Sequence, residues 1–132
     1  MKIKDLYGCE YEASEEELYP LQKWYNQLID KAPQEVTVGD TARMLRQKLF
    51  PELAMTKAIE LLRKDLFDGE LYEWELLAAI ADTESHLLAA HAQELKEVLR
   101  DASEQIAAHE WMFDGEADEF REIVDAVARK IM

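Results

Sequence analysis

The chain has 132 residues, 48% of them hydrophobic and 33% charged, with 29 Asp and Glu against 15 Lys and Arg for a formal net charge of −14. That length and apolar share suit one globular domain over residues 1–132 with a core of its own, and they argue against disorder. A surface this acidic repels nucleic-acid phosphates and anionic lipid and favours a basic partner, although the plainer reading is that the charge only keeps a small protein soluble.

The chain opens on MKIKD, and LYGC (Leu6–Cys9) has the look of a lipoprotein cleavage box. A signal peptide needs about 7–15 apolar residues before its cleavage site, and MKIKD supplies none. Cys9 is the single cysteine, which excludes an internal disulfide and suits a reducing compartment. No later stretch reaches the roughly 20 apolar residues of a membrane span. The expectation is a soluble cytoplasmic protein.

Helical patterns fill the rest. Ser14 and Glu17 make a capping box, and Leu21, Trp24, Tyr25, Leu28 and Ile29 follow at helical spacing, with a break or helix start predicted near Pro20. Thr37 and Asp40 signal a second helix whose stripe is Val38, Ala42, Leu45 and Leu49, ended by Pro51. Met55, Ile59 and Leu62 mark a third over 53–63. A turn at Phe67–Gly69 precedes a fourth with Tyr72, Leu76, Leu77 and Ile80 inward. Thr83 is the expected cap of a long fifth helix through Leu88, His91, Leu95, Val98, Ala102 and Ile106. A second FDG turn, Phe113–Gly115, introduces a sixth with Ala117, Phe120, Val124, Val127 and Ile131. MKIK and EVTV alternate weakly, but neither finds a strand partner. The fold expected is all-α, a compact bundle of about six helices. LFDGE and MFDGE are one turn chemistry used twice rather than a repeat, because the copies diverge after the glutamate and there is no third.

Few residues promise chemistry. His86 and His91 are five apart and do not share a helix face, no HExxH or paired cysteines occur, and adjacent Ser85 and His86 point apart, so neither metal nor cofactor is expected. Glu70 with Glu73, and Glu94 with Glu97, have the ExxE spacing of all-α, magnesium-dependent nucleotide pyrophosphohydrolases. Glu94 and Glu97, however, continue to Asp101 and Glu104 opposite the Leu95, Val98 and Ala102 stripe, as a solvated face would. Asp114, Asp118, Glu122 and Asp125 make a second acidic face opposite Phe120, Val124 and Val127. Like charges at this spacing repel by a few tenths of a kcal/mol per pair. Two such ridges are either ordinary solvent faces or the place where a positive partner docks.

Residues 36–50, VTVGDTARMLRQKLF, followed by a helix and then DGELYEWELLAAI, resemble the immunity proteins of bacterial contact-dependent growth inhibition (CDI) systems. In that group a Gly-Asp pair opens a helix carrying Arg-x-x-Arg-Gln, and Gly-Glu-x-Tyr with Glu-Leu-Leu comes further on. Here the pattern falls on Gly39, Asp40, Arg43, Arg46, Gln47, Gly69, Glu70, Tyr72, Glu75, Leu76 and Leu77, within residues 36–80, with Trp74 standing where a small residue is expected. The resemblance implies a cytoplasmic, non-enzymatic antidote that binds the C-terminal toxin domain of its cognate surface-delivered effector, commonly a nuclease, and that contacts neither nucleic acid nor membrane. Glu94, Glu97, Asp101, Glu104, Asp118, Glu122 and Asp125 are then the candidate partner-binding residues. Asp40, Arg43, Arg46, Gln47, Glu70, Tyr72 and Glu75 are the candidate structural motif, with Asp40 in i,i+3 reach of Arg43 and the Glu70–Glu75 segment placed to take the guanidinium forks. Two alternatives remain: the pyrophosphohydrolase, and an acidic adaptor or nucleic-acid mimic.

Overall fold

A computed structural model describes residues 1–10, 20–67, 74–111, 113 and 115–131, and these form α-helices with no strand among them. MKIK runs into a helix: α1 (Ile3–Tyr7) buries Ile3 completely, the Ile3 N–H donates to the Lys31 carbonyl at 2.8 Å, and Gly8 closes the helix at φ 64. The Ser14–Glu17 box lies outside the described residues. α2 (Pro20–Ile29) begins at Pro20, whose missing N–H costs nothing at a first helical position, and buries Trp24, Leu28 and Ile29; Leu21 is exposed instead of inward. A 3₁₀ turn at Pro33–Glu35 takes up the start of EVTV.

α3 (Val38–Gln47) and α4 (Pro51–Lys64) pack on one another across a tight joint in which Lys48 and Phe50 both have positive φ, 57° and 44°. α4 buries Met55, Ile59 and Leu62. α5 (Glu75–Ala81) follows, with Leu76, Leu77 and Ile80 fully buried against α3 and α8. The long fifth helix of the sequence reading is two helices, α6 (Ser85–Ala89) and α7 (Ala92–Gln105). Thr83 does not cap either; its hydroxyl donates back to the Ala79 carbonyl and ends α5. The chain then turns at His91, whose N–H reaches Leu88 O at 3.0 Å, and both Leu88 and Leu95 stay fully buried on either side of that turn.

α8 (Glu116–Ile131) closes the bundle against α5, α6 and α7 with Phe120, Val124, Val127 and Ile131. Lys130 Nζ donates to the Ala81 and Thr83 carbonyls, so the last turn of α8 caps the end of α5. Phe67, His109, Trp111, Trp74 and Phe120 form one aromatic cluster, and Trp74, at φ 55 and 8% exposed, has its ring 5.7 Å from that of Trp111. Among the described residues no helix is long and apolar enough to cross a membrane.

Candidate functional site

The motif on α3 starts from its cap. Thr37 Oγ1 accepts from Asp40 N and Asp40 Oδ2 accepts from Thr37 N, both at 3.1 Å, a reciprocal capping box that fixes Asp40 at the helix start. Its carboxylate then reaches beyond the helix. Trp24 Nε1 donates to Oδ1 at 2.8 Å and Lys31 Nζ to Oδ2. Burial by itself raises the pKa of Asp40, but the hydrogen bonds from Lys31, Trp24 and Thr37 outweigh it and hold the carboxyl below its ordinary value. Asp40 thus ties α2 and the segment after it to α3.

Asp40 does not pair with Arg43, because its oxygens are already taken. Arg43 lies over the Trp24 ring, its guanidinium carbon 5.7 Å from the ring centroid. Arg46 projects toward α5, and its Nη2 sits 2.9 Å from Glu75 Oε2. The Glu75 side chain is 1% exposed and the Arg46 side chain 38%, so a buried carboxylate is held by a guanidinium at the surface. Gln47 is exposed at the end of α3. Glu70, Tyr72 and Glu73 lie outside the described residues. The arrangement is a set of ties among α2, α3 and α5, and two of the residues that make it, Trp24 and Lys31, carry no motif signal.

The acidic faces lie on two helices packed together, α7 and α8. Glu94, Glu97, Asp101 and Glu104 are exposed on α7, and Asp118, Glu122 and Asp125 on α8; Asp114 lies outside the described residues. Partners divide them. Glu97 meets Arg63 of α4 at 3.3 Å, Asp118 meets Arg121 at 3.1 Å, and Glu94 stands 3.9 Å from His91 Nδ1. Asp101, Glu104, Glu122 and Asp125 form no ion pair among the described residues. Glu94 and Glu97 are therefore engaged separately, one beside a histidine and the other on an arginine. Among the described residues no group of three or more His, Cys, Asp or Glu side chains is placed to hold a metal ion.

Two hollows adjoin these features. A cleft of about 420 Å³ opens between the α3–α4 joint and α6, floored by Met44, Leu45 and Met55. Two cations on its rim already have carboxylate partners: Lys48 meets Glu84 at 3.0 Å, and Arg46 meets Glu75. Lys48 and His86 also hold Glu84 below the ordinary carboxylate pKa. A smaller groove, about 280 Å³, runs between the end of α7 and α8. Residue spacing gave no sign of either hollow, since each is made by elements distant in the chain.

Fold and composition together define an acidic all-α protein with exposed carboxylates along α7 and α8. A family model for CDI immunity proteins matches residues 5–98, more than two-thirds of the chain, and the chain belongs to that family. Its role is accordingly that of an immunity protein for a CDI toxin, in a family that is generally non-enzymatic. No curated protein matches the sequence. The family match takes in Asp40, Arg43, Arg46 and Glu75 and ends within α7.

Proposed function

We propose that this protein is a cytoplasmic antidote that binds the C-terminal toxin domain of its cognate CDI effector, a basic nuclease, and neutralises it through the outer faces of α7 and α8. The observation that carries the reading is the set of exposed carboxylates on these two neighbouring helices, Asp101, Glu104, Glu122 and Asp125, with no ion pair among the described residues. Surface carboxylates left without counter-charge repel one another and cost stability, and a cationic partner removes that cost. A domain that handles nucleic acid carries a basic surface. An acidic face laid over it both steers the encounter and occupies the place of the phosphates.

Exchange of Glu94, Glu97, Asp101 and Glu104 for lysine is the direct test, with Asp118, Glu122 and Asp125 as a second set. Either set at the docking face slows association with the toxin domain by about an order of magnitude or more at low salt, and the difference shrinks as salt screens it. Unchanged association rates in both sets would remove α7 and α8 from the interface.

A further inference from the structure

The groove between α7 and α8 is lined by Ser103, Ile106, Ala107, Arg121, Val124 and Asp125. Ile106 and Val124 are buried, at 8% and 6% exposure, and form an apolar floor, while Ser103, Ala107 and Asp125 are exposed on its walls. Along the two stretches that border it, 100–107 and 118–125, stand the carboxylates of Asp101, Glu104, Asp118, Glu119, Glu122 and Asp125 and only two cations, Arg100 and Arg121. Arg121 is already drawn to Asp118. All six lining residues lie beyond residue 98, where the family match ends.

We propose that this groove is the specificity pocket of the immunity protein and takes one arginine side chain of the toxin domain, its stem on Ile106, Ala107 and Val124 and its guanidinium on the Asp125 carboxylate. The inference rests on the immunity reading above and names the contact within it. An apolar floor beside a carboxylate wall fits a side chain that is itself apolar along its stem and charged at its end. Arginine suits it better than lysine, because a planar, weakly hydrated guanidinium lies flat on an apolar surface while giving a fork of donors to one carboxylate. An acidic residue of a partner would meet the surrounding carboxylates, and a bulky apolar anchor would strand Asp125 without water. In the larger cleft beside α6 the Lys48 and Arg46 cations already meet carboxylates of this chain. The location also suits discrimination, which needs a contact whose loss one partner feels and another does not.

The probe is the catalytically inactivated C-terminal toxin domain of the cognate CDI effector, with kinetics measured against the full chain. Asp125→Asn should raise the dissociation rate about tenfold or more while the association rate changes less than about threefold, since a seated charge contact acts on release rather than on steering. Ala107→Trp, which fills the groove without altering charge, should weaken binding by about a hundredfold. Each toxin arginine is then changed to alanine in turn. One of them should lose affinity for wild type but lose little more for Asp125→Asn, the mark of a coupled pair. Helical CD spectra and wild-type melting establish that both variants are folded, and Asp125→Asn, exposed and isosteric, stands if Ala107→Trp is not. Wild-type kinetics in a folded Asp125→Asn variant, or arginines that are all additive with it, overturn the pocket. A wild-type protein that binds no such domain overturns instead the immunity reading beneath it, and the pocket falls with that reading.

Discussion

Arg46→Ala isolates the tie between α3 and α5. The perturbation removes the guanidinium 2.9 Å from Glu75 Oε2 and leaves behind a carboxylate whose side chain is 1% exposed. Breaking a fully buried ion pair by deleting one partner costs about 3–5 kcal/mol, and breaking an exposed one about 1 kcal/mol or less. This pair lies between, because the Arg46 side chain is 38% exposed and water can follow its departure. The expected loss is about 2–3 kcal/mol. For a chain of this size each kcal/mol moves the melting temperature by about 3–5 °C, so thermal unfolding followed by CD should shift down by about 6–15 °C. Glu75→Gln in the Arg46→Ala background should recover part of the loss, since the buried charge that Arg46 answered is gone although the shape is kept. Toxin binding measured well below the lowered midpoint should be retained. A variant that melts within about 2 °C of wild type refutes the tie, and one that also fails to bind assigns Arg46 to the interface.

Other consequences follow from the same geometry. The carboxyl of Asp40 is held below its ordinary value of 3.8, so its contribution is present above that pH and is lost as pH falls through the still lower folded-state value. Acid titration of stability should accordingly show a shallower loss below about pH 4 for Asp40→Asn than for wild type, and equal slopes would contradict the bonding seen from Trp24, Lys31 and Thr37. Lys48→Gly removes a left-handed strain of about 1–2 kcal/mol at φ 57 and forfeits only a solvent-screened pair with Glu84, so urea denaturation should show a small net gain. A loss of stability would mean that the Lys48–Glu84 bridge matters more than the backbone.

The fold was legible wherever an apolar stripe and a cap agreed. Thr37 and Asp40 mark the start of α3, and Leu76, Leu77 and Ile80, or Phe120, Val124 and Val127, reach the core as their spacing implies. The break at His91 was not legible, because a turn between Leu88 and Leu95 preserves the same inward spacing that an unbroken helix gives. The short alternation in MKIK left strand and helix undecided for a similar reason: with so few residues, one buried side chain, Ile3, satisfies either a strand or a single helical turn. At the site, the acidic residues and their helix faces could be read from three- and four-residue steps. Their partners could not. Arg63 lies 34 residues from Glu97 and Lys31 nine from Asp40, and only packing decides which cation reaches which carboxylate. Trp24 reads as core and is core, yet its indole N–H bonds Asp40 and its face lies under Arg43.

The proposed function is that this chain neutralises one toxin by binding it. The most direct measurement pairs purified protein with the C-terminal domain of its cognate CDI effector, scoring complex formation and residual toxin activity, with toxin domains from unrelated CDI effectors in parallel. The expected result is a stoichiometric, salt-sensitive complex that abolishes the activity of the cognate domain alone. A cognate domain that stays fully active beside an excess of the folded protein, or equal inhibition of every toxin offered, would contradict it.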